Sequence, residues 1–324
     1  MTDMDSALLV DGFQRLLANA APVSALRANE CLSGVPACWQ PLQASGYLDA
    51  MVPEASGGAG LSIADIEPLV NIMGAYLLPA PLADTMVARG WFAQQDLRLP
   101  DDAVVVLAPP SAIVPLALHA THALVPRSDW LDLVRLDPAA ADPFQAGGTP
   151  GGQSGAVEAT IPGGRIDLMA VAAALLAARM AGAMAQVLAM TIAYANDREQ
   201  FGRPLGKFQA VQHNLAVMAE EVVSARSAAR IGLAGPTFDD ARSAVAKARA
   251  SEAAHRVCSL AHAIHGAIGA TIEHDLQLYT RRLMQERLAF GGEIYWAARL
   301  ARARLAQRTG TSADFVRSML PPAE

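Results

Sequence analysis

The sequence predicts a mainly α-helical fold: an N-terminal helical domain (residues 1–100), a small β-rich middle segment (101–165) and a C-terminal antiparallel helical bundle (166–324). Three observations predict it. Ala, Leu and Val supply most of a composition that is 52% hydrophobic, and alanine at this density favours close-packed helices. Apolar residues recur at helical spacing on both sides of residues 101–165. Within that stretch they collapse into short β-branched runs with glycine-rich turns.

Taken in order, Phe13 to Ala18 and Ile63 to Leu77 read as helices. Between them VPEASGGAGLS, from Val52 to Ser62, carries Gly57, Gly58 and Gly60 and reads as a loop with unusual backbone angles. Ser62 caps the next helix, with Asp65 three residues on in a near capping box. AVVVLAP and HALVP read as strands, and GGTPGGQSG, from Gly147 to Gly155, as a flexible turn-rich stretch. A long helix is predicted from Asp167 to Asp197, and a second from after Pro204 to Leu233. A break at Gly235-Pro236-Thr237, with Thr237 as N-cap, leads to a third helix reaching Ile268. Two shorter helices start near Glu273 and Glu293. Antiparallel helices of these lengths make a bundle.

Composition excludes several classes of function. Twenty-five Lys and Arg against 31 Asp and Glu give a net charge of −6, so no broad basic surface for nucleic acid is expected. Aromatics at 5% argue against base-stacking platforms. Three cysteines, Cys31, Cys38 and Cys258, without a CxxC pair fit neither a disulfide scaffold nor a structural metal site, and point to a reducing compartment. The N-terminal MTDMDSALLV is acidic where a secretion signal would be basic, and a cytoplasmic location is expected. Leu168 to Ala195 is the one span apolar enough to suspect of crossing a membrane. Arg179 near its middle makes a buried bundle helix the better reading, so no membrane insertion is expected.

Three stretches carry chemistry. Arg198-Glu199-Gln200-Phe201-Gly202-Arg203-Pro204, followed by Phe208-Gln209, turns one helix into the next. An arginine beside the new helix N-terminus suits a phosphate or pyrophosphate, although helix–turn–helix corners with a surface arginine are common. Ala263-Ile264-His265-Gly266-Ala267-Ile268-Gly269 allows close backbone approach at a helix end, or forms a plain C-cap; His265 has no obvious catalytic partner in the sequence. Leu288-Ala289-Phe290-Gly291-Gly292-Glu293, after Arg281-Arg282, is either a helix connector or a loop aiming a side chain into a cavity.

In this order and spacing the stretches resemble the acyl-CoA dehydrogenase family. VPEASGGAGLS resembles the family's N-terminal "vPEeyGGxGls" segment, and REQFGRPLGKFQAVQHNLA its most characteristic C-terminal stretch. IHGAIGATIEHDLQLYTRR and FGGEIYWAARLARARL resemble the glycine-rich and "EGT" segments that follow. The resemblance implies the family's helical, β and helical-bundle domains, FAD as cofactor, and oxidation of the Cα–Cβ bond of an acyl-CoA. It also implies an electron-transfer flavoprotein or similar acceptor and a dimer-of-dimers assembly. Carried over by position, Arg198 would bind the FAD pyrophosphate of a neighbouring subunit, with Gln200 and Phe201 beside it. Phe208 and Gln209 would line the flavin nucleotide, Gly266 and Ala267 the adenine end, and Gly291 the substrate.

The departures shape the expectation. Phe290 stands at the usual position of the catalytic base, and a phenylalanine abstracts no proton. The alternative base position of some members falls near Ala172, in an all-apolar turn. Ala263 replaces the adenine-site glutamine, and the middle region lacks the family's "TEPxaGSD" segment. Glu293, one turn past Phe290, is a candidate displaced base. The expected function is therefore the base-deficient subunit of a heteromer, of the kind that acts on bulky acyl-CoAs such as steroid side-chain thioesters. The alternatives are a self-sufficient homo-oligomer using Glu293 or another acid, a flavin-free scaffold, and a different reaction on an acyl-CoA.

Overall fold

The computed structural model describes residues 3–29, 34–110, 112–136, 155–164, 166–307 and 309–320. The N-terminal region holds helices α1 (Asp3–Ala20), α2 (Val23–Asn29), α3 (Trp39–Ala44), α4 (Ile63–Ala75) and α5 (Leu82–Ala93). Ser62 caps α4 in a full capping box with Asp65, as the sequence predicts. The middle region is a four-stranded sheet in the order β1 (Val105–Leu107), β2 (His122–Arg127), β3 (Trp130–Arg135), β4 (Val157–Pro162), parallel between the first two strands and antiparallel thereafter. Helix α5 covers the edge at β1: the Val105 N–H donates to Thr85 Oγ1 (2.9 Å) and the Leu107 N–H to Asp84 Oδ2 (3.1 Å), satisfying groups that an open edge would leave unpaired. Of the glycine-rich stretch predicted at 147–155, only Gly155 lies within the described residues.

The bundle consists of α6 (Leu168–Asp197), α7 (Gln209–Gly232), α8 (Asp240–His265), α9 (Leu276–Leu288) and α10 (Glu293–Ala306), with α11 (Ser312–Met319) folded against it. A two-stranded ribbon, β5 (Glu199–Gln200) and β6 (Arg203–Pro204), makes the corner between α6 and α7. Three boundaries differ from expectation. Helix α8 is capped by Asp239, which accepts the Arg242 N–H at 2.8 Å, and not by Thr237. A carboxylate there gains from the helix dipole as well as from the hydrogen bond. The same helix ends at His265, not Ile268, because Gly266 takes φ 65, ψ −146 and opens a 3-10 turn over Gly266–Ala270. Helix α9 starts at Leu276, past the expected Glu273.

Helix α6 is the centre of the molecule. Its most apolar window is 83% buried, so the fold itself uses the surface that raised the question of a membrane span. It crosses α4 backbone to backbone. A Cβ on Gly74 would lie 1.8 Å from the Arg179 carbonyl oxygen, and one on Gly182 would lie 1.8 Å from that of Asn71. Arg299 of α10 then ties the helix starts together, pairing with Asp167, the N-cap of α6, and with Asp240 at the start of α8. The buried apolar side chains of all three regions form one continuous cluster. Gly182→Ala is expected to lower stability by about 2 kcal/mol, within the usual range for overpacking, measured as a reduced Tm and denaturation midpoint.

Candidate functional site

Most of the residues singled out in the sequence fall into two places, an outer corner and an inner cavity. At the corner, Arg198 caps the C-terminal end of α6 and is exposed; among the described residues its side chain has no ion-pair or hydrogen-bond partner. Gln200 and Gln209 are also exposed, and Phe201 is 90% exposed on a left-handed backbone (φ 53). Phe208 is half-buried, edge-on to Phe201 at 6.2 Å, with the Arg203 guanidinium 4.1 Å above its ring.

The Gly266–Ala267 turn follows the end of α8, which lies beside the end of α6. Tyr194, one turn before Arg198, stacks on His265 (4.3 Å between centroids) and donates to its carbonyl oxygen at 3.3 Å. His274 meets both rings edge-on. His265 is 4% exposed; Nδ1 faces the Ala261 carbonyl and Nε2 has no partner. Burial pushes its pKa down. The turn itself is exposed, and a Cβ on Gly266 would meet nothing within 4 Å. The corner therefore fits an anionic, flat-ringed group such as FAD in its chemistry: an uncommitted guanidinium for phosphate, the exposed ring of Phe201, and a buried orphan nitrogen nearby. It is an outward face, exposed at Arg198, Gln200, Phe201 and Gln209.

Phe290 and Ala172 meet in the inner cavity, with Leu175, Leu176, Met73, Asp84 and Arg179 among its walls. The two positions that the resemblance marks for a base, 290 and 172, thus line the same space. Phe290 is 4% exposed with φ 53, and the cavity leaves about 10 Å³ for water, room for one molecule. Arg179 pairs with buried Glu286 of α9. Burial raises the Asp84 carboxyl to a pKa of about 6, against the Leu107 N–H and the Arg179 charge, which lower it. Glu293 is elsewhere. It pairs with Arg287, which holds its carboxyl below the usual range, and it borders an open apolar groove of about 690 Å³ with Ile294, Leu300 and Phe315. Gly291 is half-buried at φ 88 with its carbonyl bonded to Lys247.

Asp84, Tyr194 and Lys247 did not stand out in the sequence. Asp84 reads as an ordinary first-turn acid, and Lys247 as one of several bases on a polar helix. Arg179 did leave a signal, since a charge inside a long apolar helix requires a buried partner.

The family described as acyl-CoA dehydrogenase, C-terminal domain, matches residues 166–305. Acyl-CoA dehydrogenase IpdE2 of Mycolicibacterium smegmatis is 32% identical over 276 residues, which span 82% of this chain and 87% of that protein. A solved variant of the Tcur3481-Tcur3483 steroid ACAD is similar with a TM-score of 0.74 and 27% identity, over 94% of this chain and 98% of that one. The ChsE4-ChsE5 complex from Mycobacterium tuberculosis shares the fold, with a TM-score of 0.77 and 22% identity over 96% and 99% of the two chains. With its REQFG corner, its helical bundle and a relative matched along most of both lengths, the chain belongs to the acyl-CoA dehydrogenase family.

Proposed function

We propose that this chain is the base-deficient subunit of an FAD-dependent, heteromeric acyl-CoA dehydrogenase. A second acyl-CoA dehydrogenase-like subunit supplies the base, and this chain supplies contacts to FAD across the interface. The observation that carries the reading is the buried Phe290, which with Ala172 lines a cavity that has room for one water. A thioester does not fit there, and neither residue can take a proton. At the outer corner, Arg198 and Gln200 would hold the pyrophosphate, Phe201, Phe208 and Gln209 the flavin nucleotide, and Gly266 and Ala267 the adenine end. When bound, FAD supplies the hydride acceptor for the Cα–Cβ oxidation. The paired names and the word "steroid" in the similar structures support a bulky, polycyclic acyl-CoA as substrate. An electron-transfer flavoprotein or similar acceptor would then reoxidise the complex in the cytoplasm.

A second reading is favoured by Asp84, an acid that does face the Phe290 cavity. In a self-sufficient homo-oligomer, Asp84 would be the base in place of Glu293, and the cavity would have to widen to admit substrate.

Two outcomes are expected. Arg198→Ala leaves the fold intact, since the exposed side chain has no hydrogen bond or ion pair among the described residues, and lowers the flavin retained by the assembled complex through loss of a charge-assisted phosphate contact. Full flavin content in that variant would remove the corner from the cofactor site. Asp84→Asn tests the second reading: turnover by the chain alone that disappears with this change would establish it, and the first reading predicts no such turnover to lose. The same variant has a pH signature. The folded carboxyl, raised from 3.8 to about 6, contributes stability below the unfolded value, and that contribution is lost as pH rises through 6. The Tm difference between Asp84→Asn and wild type should therefore shift in the variant's favour between pH 4 and pH 7.

A further inference from the structure

The loop that carries Phe290 is fastened from inside the bundle. Lys247 of α8 is completely buried, and its ammonium donates to the carbonyl oxygens of Arg287 and Gly291 and to Ser251 Oγ, each at 2.9 Å. An ammonium has three donors, and all three are used. The Arg287 carbonyl belongs to the last turn of α9, where no intrahelical partner is available and positive charge is favoured. The Gly291 carbonyl lies on the far side of Phe290. The grip therefore spans the residue it positions. Phe290 and Gly291 both have positive φ, a conformation that a phenylalanine keeps only when its surroundings impose it. Further fastenings come from α8 and α10: Ser251 Oγ–H donates to the Arg287 carbonyl at 3.2 Å, Trp296 Nε1–H donates to the Phe290 carbonyl at 2.8 Å, and Glu293 pairs with Arg287.

We propose that Lys247 is the positioning residue of the Phe290 loop: protonated, it holds residues 288–292 in the form that drives Phe290 into the cavity, and loss of its proton loosens that form. This rests on the reading of Phe290 as the group that closes the cavity. The charged groups facing Lys247 are Glu286 and Arg287 on α9 and Glu293 on α10; Glu286 is itself held by Arg179 of α6 and Glu293 by Arg287. Burial outweighs the two carboxylates and brings the ammonium down to about 7, so it titrates near neutrality. Deprotonation leaves the two carbonyls facing a neutral amine with two donors in place of a charged group with three, which weakens the hydrogen bonds that hold them.

The test is amide hydrogen exchange on the unliganded chain, corrected for intrinsic rates, with peptides covering 287–296 compared with peptides from α4 and α7. In wild type, protection of 287–296 should fall several-fold between pH 6 and pH 8.5 while the α4 and α7 peptides hold. In Lys247→Met, which keeps the length and loses the donors, the loop should exchange at least 10-fold faster at pH 6 and show no step with pH. A wild-type loop without a pH step, or a change spread evenly over all peptides, would overturn the proposal. The wild-type profile decides the matter even if the variant fails to fold. Because the readout needs neither flavin nor partner, its failure is separate from failure of the heteromer reading.

Discussion

The close crossing of α4 and α6 is the constraint on which the rest of the structure depends. Glycines at 74 and 182 let each helix backbone touch the other, so the N-terminal region sits directly on the bundle. That approach carries α5 and Asp84 to the side of α6 that bears Ala172 and Arg179. It also leaves little free volume. Interiors at this density have no room to absorb an extra group, and Phe290, buried at the α9–α10 connection, lines what remains. The cavity is narrow because the helices around it are close.

Charge is arranged in opposite ways inside and outside. Inside, each cation is committed: Arg179 to Glu286, and Lys247 to three oxygen acceptors. Buried charges persist only when so matched, and here they pin α9 and its loop to α6 and α8. Outside, Arg198 is uncommitted, next to an exposed phenylalanine and a glycine turn. That contrast, a committed interior and an uncommitted outer corner, is what the proposed cross-subunit role of this chain rests on.

Much of this was legible in the sequence. Helical spacing, the Ser62–Asp65 box, the β-branched runs and the REQFG corner each act locally, and local signals survive in a linear reading. Phe290 and Ala172 were legible as departures from a family pattern, although nothing in their spacing put them in one cavity; that follows from the packing of α6 against α9. The choice of Asp239 over Thr237 as cap depended on which backbone N–H groups faced outward. Asp84 and Lys247 were invisible because an acid in a first turn and a lysine on a polar helix are ordinary. Only tertiary burial makes them unusual.

The most direct measurement is the flavin absorbance of the purified chain, alone and co-expressed with an acyl-CoA dehydrogenase-like partner subunit. The account predicts substantial flavin only in the co-purified complex, since the corner is an open face without a second wall. A full complement of flavin on the chain alone would contradict it.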